Sequence, residues 1–379
     1  MLGVYIHIPF CKKICTYCDF CKVLYSTNYV SKYLDKLSDE IKSRYQGEII
    51  KTIYIGGGTP SSLTNDELDK LLSILSIFNL DNDYEYTIEC NIEDINIDKI
   101  NIFKSYGINR ISFGVESFDK NIRKILGRCY DEDMIFDNIY LTKKYFNNIN
   151  IDLIYGVTND IEIVKNDINK FLELDIPHIS CYSLILEEHT KLYIDSHEYI
   201  SEDIDREMYE YIKNILEKKG YKHYEISNYA KNNYESIHNK NYWLNGSYYG
   251  FGLGAVSYLN NYRITNSKNL TKYLNGNYLD KCEYEDLKMN KENDLILGLR
   301  LTDGININLY DKKYNTSLLD KKVIKELLND KYLEIDNGNL KCNSKYLYLE
   351  NYMLEKIIGS ELWLNLLKVK NLFYQLFIL

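Results

Sequence analysis

The strongest constraint on the fold is a repeated alternation of short β-branched segments and longer amphipathic segments, which fills the first two-thirds of the chain. One helical pattern, residues 64–75, opens with Thr64 and has Glu67 three residues later, which is a capping-box signature. The apolar segments that read as strands are residues 3–8, 51–57, 84–90, 108–115, 149–156 and 178–186. This alternation predicts an α/β fold with a parallel sheet and external helices. Because the repeats are fewer than a closed barrel needs, we expect an incomplete (β/α)6 barrel, with an open doubly wound sheet as the alternative.

The alternation stops near residue 230, and the rest of the chain is organised differently. Near the C-terminus, helical patterns are followed by YLEIDNGNLKC, in which Asn-Gly forms a hairpin turn between two strands, as in a winged-helix-like unit. An apolar tail with two lysines follows, which we expect to dock on protein, with a lipid-facing role as the alternative. The predicted domains are a partial barrel (1–232), a connecting region (233–290), a small helical, winged-helix-like domain (291–358) and the tail (359–379).

Charge and cysteine content restrict the compartment and the partners. The formal net charge of −9, from 46 basic and 55 acidic residues, argues against nucleic acid as a partner. The first ten residues, MLGVYIHIPF, have neither the basic region nor the cleavage site of a secretory signal. The nine cysteines are an odd number and unevenly spread, so we expect metal binding in a reducing cytoplasm instead of disulfides. No uncharged apolar run approaches the roughly 20 residues that span a bilayer, so membrane association is not indicated.

Four cysteines, Cys11, Cys15, Cys18 and Cys21, lie close together directly after the first predicted strand. The first three have C-x3-C-x2-C spacing, which allows a loop to place three thiolates around an iron–sulfur cubane and leaves one iron without a protein ligand. The alternative is a structural zinc site that uses all four cysteines. The crowded spacing favours the cluster, because zinc knuckles usually use two well-separated pairs.

A glycine-rich turn, GGGTPS, covers residues 56–61 at the end of the second predicted strand. Glycine permits close approach of the backbone to a ligand, but such a turn is a weak signal alone and does not match a P-loop.

Together, the C-x3-C-x2-C motif and the glycine-rich strand end resemble the radical S-adenosylmethionine (SAM) superfamily. An ordered series of segments within residues 4–350 is similar to its coproporphyrinogen oxidase-like family: YIHIPFC, YCDF, YIGGGTPS, TIECN, GINRISFGVESFD, LGR, NIDLIYG, HISCYSL, YEISNYA and HNKNYW. The resemblance therefore covers nearly the whole chain.

This resemblance implies that Cys11, Cys15 and Cys18 hold a [4Fe–4S] cluster, which a separate electron donor reduces. It also implies a SAM site made of Tyr5, Tyr17, Gly57, Gly58, Thr59, Glu89, Glu116, Arg128 and Asp152. Carboxylates suit the ammonium and ribose hydroxyls of SAM, and an arginine suits its carboxylate. The alternative for the charged residues is a set of strand-end salt bridges.

Two branches of the family are relevant. The oxidase branch has a further cysteine two positions after the third, where this chain has Phe20, and an N-terminal extension before its cluster. Cys21 is one position too far to align. Both features resemble the HemW-type heme chaperone branch, which implies binding of heme and delivery to heme-dependent proteins. Oxygen-independent coproporphyrinogen III oxidation is the alternative, so enzymatic activity is left open.

The segment HNKNYW is associated with the chaperone branch and contains His238. If its imidazole is exposed, His238 is a candidate axial heme ligand; the alternative is a packed core or capping histidine. His7, beside the cysteines, is expected to be a satisfied barrel histidine. Glu116 stands where the family usually has Gln, and Val256 where it usually has His, so these two contacts depart from the family pattern.

Overall fold

The computed structural model describes residues 1–358, and its main feature is a twelve-stranded sheet. The strands are β1 Leu2–Ile8, β2 Phe10–Cys11, β3 Val23–Leu24, β4 Ile49–Gly57, β5 Asn79–Asn91, β6 Arg110–Glu116, β7 Asn148–Tyr155, β8 His178–Ser183, β9 Lys222–Glu225, β10 Asn228–Ala230, β11 Ser247–Phe251, β12 Val256–Leu259, β13 Tyr262–Asn266, β14 Leu279–Tyr284, β15 Ile305–Asn306, β16 Leu333–Asp336 and β17 Asn339–Cys342. The α-helices are α1 Thr27–Arg44, α2 Asn65–Leu75, α3 Ile97–Ser105, α4 Lys120–Leu126, α5 Glu132–Lys143, α6 Ile161–Leu174, α7 Lys191–Ile194, α8 Glu202–Lys218, α9 Ile237–Trp243, α10 Leu270–Leu274, α11 Leu287–Gly298, α12 Ile307–Tyr314, α13 Lys322–Asn329 and α14 Glu350–Ile358.

Parallel strands in chain order, β1-β4-β5-β6-β7-β8, form the centre of the sheet. The order does not reverse, as it would in a doubly wound sheet, so the prediction of a partial (β/α)6 barrel is confirmed. The barrel stays open because β1 pairs on its other side with β11, and β8 pairs with β10.

Side chains alternate along each central strand between the helices and the barrel interior. In β6, Ile111, Phe113 and Val115 are fully buried in the main hydrophobic core. The intervening Ser112 and Glu116 face the interior, where Ser112 accepts a hydrogen bond from Asn150. The interior is therefore polar, whereas the helix-facing side of the sheet is apolar.

Residues 233–290 differ from the expected connecting region because β11–β14 extend the central sheet itself. Glu40 of α1 is fully buried and accepts hydrogen bonds from the Gly252 amide (3.0 Å) and the Tyr273 hydroxyl (2.6 Å). An ion pair with Arg44 (2.6 Å) balances its charge. These contacts, which come from distant parts of the chain, join the extension to the barrel.

The C-terminal unit has its own hydrophobic core and a small antiparallel sheet in the order β15-β17-β16. Asn337 and Gly338 both have positive φ, and Asp336 pairs with Asn339 across the turn, which confirms the predicted Asn-Gly hairpin. The succession of helices and strands is winged-helix-like. A buried ion pair between Arg300 and Glu350 (3.2 Å) lies within this unit.

The predicted apolar tail, residues 359–379, lies outside the described residues. Within residues 1–358, no helix combines the length and the apolar character needed to cross a membrane.

Candidate cofactor site at the barrel mouth

The cysteine loop, residues 11–24, lies at the carboxyl end of β1 and is held at both ends. Its ends pair in parallel through β2 and β3, which brings Cys11 opposite Leu24. The His7 ring, fully buried, places Nε2 2.7 Å from the Cys21 carbonyl oxygen. The Lys12 ammonium forms an ion pair with Asp94 (2.7 Å). The loop is thus fixed to the barrel by contacts within the chain itself.

The thiols of the loop do not all face the same space. Burial, together with the neighbouring Cys18 and Cys15 thiols, raises the pKa of Cys11 to about 12. The Cys21 thiol instead lies 4.0 Å from the Lys268 carbonyl oxygen, on the side of the sheet extension. Cys11, Cys15 and Cys18 are therefore available to one cofactor, whereas Cys21 points elsewhere.

Burial raises the pKa of Cys11, which is almost fully enclosed, and also of Cys15 and Cys18, which are partly exposed. Such thiols fit a cationic iron cluster, which would supply the positive charge that thiolates need here. Among the residues that the structure describes, no three His, Cys, Asp or Glu side chains are grouped to bind a single metal ion.

The glycine-rich turn packs its backbone against the same loop. A side chain at Gly56 would lie 2.7 Å from a Glu89 oxygen, and one at Gly57 would lie 2.5 Å from the His7 ring. Gly57 also has φ of +115°, which disfavours other residues. The amides of Gly58 and Thr59 donate to the carbonyl oxygens of Ile8 and Phe10. Glycine is thus required by close packing with β1 and β5.

Two carboxylates, Glu89 and Asp152, face the interior near this turn. Glu89 accepts hydrogen bonds from the Tyr54 hydroxyl (2.9 Å) and the Gly57 amide (3.1 Å). Burial, and repulsion from Asp152 and Glu116, raises the pKa of Glu89 to about 8. Burial and the charge of Glu116 raise the pKa of Asp152 to about 6. Such carboxyls favour a cationic ligand, because its charge offsets their repulsion.

Arg128 and Glu116 form a buried ion pair at the same end of the barrel (2.6 Å). The Tyr17 hydroxyl, from the cysteine loop, donates to the same Glu116 oxygen (2.7 Å). Arg128 also donates to the Asn91 side-chain oxygen (2.6 Å). Its buried Nε has no hydrogen-bond partner among the described residues. A strand-end salt bridge is therefore present, yet a donor is left over for an acceptor group of a ligand.

The structure brings the predicted SAM residues together around this interior. Tyr5 lies deepest: it is 2% exposed, its hydroxyl is 3.0 Å from His7 Nδ1, and its ring stacks on Tyr54. The other members surround the mouth: Tyr17, Gly57, Gly58, Thr59, Glu89, Glu116, Arg128 and Asp152. The residues therefore fit a polar ligand with positive charge beside an iron–sulfur cluster.

His238 does not have the exposed imidazole that a heme ligand requires, so that expectation is wrong for this position. It is fully buried on α9, with Nδ1 2.7 Å from the Thr52 hydroxyl and Nε2 3.0 Å from the Tyr242 hydroxyl. Burial lowers its pKa to about 3. Both ring nitrogens are occupied, so His238 has the packing role that was the alternative.

Asn91 and Asn150 were missed in the sequence. Asn150 donates a hydrogen bond to the Asp152 carboxylate (2.9 Å), and the Asn91 side-chain oxygen accepts one from Arg128. Asn91 lies two positions after Glu89 on β5, and Asn150 lies two positions before Asp152 on β7. Because side chains alternate between the two faces of a strand, each asparagine shares a face with a predicted residue, and this pattern could have revealed it.

The chain matches two family models and is similar to known proteins along nearly its whole length. The Radical SAM superfamily model matches residues 5–168, and the HemN C-terminal domain model matches residues 292–345. The heme chaperone HemW of Lactococcus lactis is 39% identical, over 95% of this chain and 98% of that protein. The Bacillus subtilis heme chaperone HemW is 34% identical, over 96% and 98%.

A solved structure, the coproporphyrinogen III oxidase HemN of Escherichia coli, superposes with a TM-score of 0.83. The match covers 93% of this chain and 89% of that chain at 22% identity. At this identity the likeness shows a shared fold.

Proposed function

Because the chain belongs to the HemW heme chaperone family of the radical SAM superfamily, we propose that it binds heme and delivers it to heme-dependent proteins. The observation that carries this proposal is the 39% identity to a heme chaperone over nearly the full length of both proteins. The site also fits the cofactors that the family implies, a [4Fe–4S] cluster and SAM.

Cys11, Cys15 and Cys18 would hold the cluster, which would leave one iron without a protein ligand for a small molecule to chelate. What supports this assignment is that the Cys18 and Cys15 thiols lie close enough to Cys11 to help raise its pKa, whereas the Cys21 thiol lies against the Lys268 carbonyl oxygen.

We assign the SAM contacts by charge. Glu89 and Asp152 attract the cationic groups of the ligand, and the close backbone of the glycine-rich turn limits where its methionyl end lies. Arg128 holds Glu116 in place through their ion pair and keeps one donor for the ligand. Tyr17 connects this pair to the cysteine loop, so the cluster loop and the SAM site are positioned together.

Heme-accepting proteins and an electron donor for the cluster are the proposed partners, and the cytoplasm is the proposed compartment. The odd number and the uneven spread of the nine cysteines support a reducing compartment.

An anaerobic comparison on reconstituted protein tests the proposal against its alternative. Heme titration should show stoichiometric binding per chain, and coproporphyrinogen III should not be converted. Conversion to protoporphyrinogen with formation of 5′-deoxyadenosine would identify an oxidase instead. Absence of heme binding would contradict the chaperone function.

A further inference from the structure

Most histidines in this chain cannot bind heme iron. Four of the six are buried, and their rings contact neighbouring hydroxyl, amide or carbonyl groups: His7, His178, His223 and His238. Burial lowers the pKa of each of them. A buried, hydrogen-bonded imidazole offers no nitrogen to a large planar ligand.

The remaining two lie on the segment that follows β8. His197 is half-buried, and its Nε2 donates to the Val157 carbonyl oxygen (2.9 Å). His189 lies just before α7 and is exposed. It is the one exposed imidazole within residues 1–358, which contain every histidine of the chain.

Apolar side chains are exposed on the same short segment. Ile185 is 58% exposed, Tyr193 46%, Ile194 69% and Tyr199 66%. We call these four residues and His189 the His189 platform. The Tyr199 hydroxyl donates to the Leu186 carbonyl oxygen (3.0 Å), which joins the two ends of the segment on either side of His189. Several exposed apolar residues on one short segment with a metal-binding side chain are unusual for a surface that faces only water.

The His189 platform is anchored to the cofactor site. Leu192, a buried residue of the same segment, packs in one apolar cluster with Leu184, Leu186 and the Tyr17 ring of the cysteine loop. The Leu192 amide also donates to the Thr16 carbonyl oxygen (2.9 Å). The platform therefore lies at the carboxyl end of the barrel, beside the loop of Cys15 and Cys18.

We propose that His189 is an axial ligand of the heme iron, and that the apolar members of the His189 platform cover one face of the porphyrin. This inference rests on the proposed function and assigns its heme site. An accessible imidazole supplies the iron ligand, while aliphatic and aromatic side chains exclude water from the macrocycle.

The charges of the segment orient the ligand. Glu187, Glu188, Asp195 and Glu198 carry negative charge, and Lys191 is the single basic residue among them. The heme propionates would be repelled by this segment and so point away from it. Added salt should therefore not weaken binding, whereas heme adsorbed on basic side chains would be released by salt.

Ferric heme titration of the full-length reconstituted protein tests the inference, with His189→Ala compared to the wild type and to His197→Ala as a matched control. We expect His189→Ala to lose the imidazole-ligated absorption and electron paramagnetic resonance signals, and added imidazole to restore them. His197→Ala should keep them. Ile194→Glu should weaken heme binding without changing the ligand signature.

Wild-type signals in His189→Ala, with unchanged affinity, would overturn this inference alone. Loss of the signals in His197→Ala but not in His189→Ala would also overturn it. Failure of the wild type to bind heme would overturn the proposed function as well. Circular dichroism of each variant confirms folding.

Discussion

The barrel has two ends: the floor, at the amino ends of the parallel strands, and the mouth, at their carboxyl ends. The same strands line both ends, yet the polar groups of the two ends are used in opposite ways. At the floor, Glu85 of β5 accepts hydrogen bonds from the amides of Ile237 (2.9 Å) and His238 (3.0 Å) at the start of α9. The His238 ring in turn contacts the hydroxyls of Thr52 and Tyr242. These polar groups are matched within the protein, so the floor is a structural plug.

At the mouth, the polar groups are less well matched. On the same strand as Glu85, Glu89 has a pKa raised by burial to about 8, and Asp152 is raised to about 6. Arg128 retains a buried donor without a partner among the described residues. Residues of similar chemistry thus become a ligand site where the fold leaves their charges and donors uncompensated.

The largest effect should come from the cysteines of the mouth. Cys15→Ser should abolish cluster assembly, because a site with three protein ligands has none to spare. Cys21→Ser is the matched control and should retain the cluster, since its thiol points to Lys268. Iron and acid-labile sulfide content after anaerobic reconstitution measures both; loss in Cys21→Ser would show that four thiols bind.

Removing His238 tests whether the floor is only structural. His238→Ala leaves a cavity and two hydroxyls without their partner, so the free energy of unfolding should fall by roughly 2–4 kcal/mol. SAM affinity at a temperature where the variant is folded should not change. Denaturant unfolding and SAM titration check this; weaker SAM binding in the folded variant would contradict the separation of floor and mouth.

The pH dependence of SAM binding should report the protonation of a carboxyl group at the mouth. Below the Glu89 pKa of about 8 this carboxyl is protonated, and a cationic ligand must displace its proton. Affinity should therefore rise with pH, by at most about tenfold per unit for one proton, and level off near pH 8. Calorimetry in buffers of different ionisation enthalpy measures the released proton.

The raised pKa of Glu89 also makes stability depend on pH, but stability should fall as pH rises, whereas SAM affinity should increase. Because the folded pKa of Glu89 lies above its ordinary value of 4.5, the folded protein holds a proton that the unfolded chain has lost between pH 4.5 and 8. The contribution of Glu89 to the stability of the ligand-free protein should thus fall as pH rises through this window. In the SAM-binding experiment, an affinity that is independent of pH would show that Glu89 does not face the ligand.

Glu116→Gln should have the smallest effect. The amide oxygen can still accept from Arg128 and Tyr17, but the charge that raises the pKa of Asp152 is lost. The pH profile of SAM binding should shift to lower pH by less than about one unit. Glu116→Ala, which removes the acceptor itself, should weaken binding more; equal behaviour of the two variants would show that the acceptor is unimportant.

Local patterns in the sequence were sufficient for the architecture. The six β–α repeats predicted the central parallel strands. Because each element buries one face and exposes the other, its apolar residues recur with the spacing of a strand or of a helix, and this spacing can be read from the sequence. The Asn337-Gly338 turn is likewise a short-range feature, which the structure places as expected. The spacing of Cys11, Cys15 and Cys18 is also short-range, and a cluster site at these residues stays a prediction.

The sequence by itself thus determined the central strands and helices and the family, and it predicted which residues form the mouth. Only the tertiary structure decided that residues 233–290 extend the sheet, that His238 is buried, and that His189 is exposed. The physical reason is that exposure and hydrogen-bond partners depend on segments distant in sequence: Thr52 engages His238, whereas no such partner covers His189 in the described part of the chain.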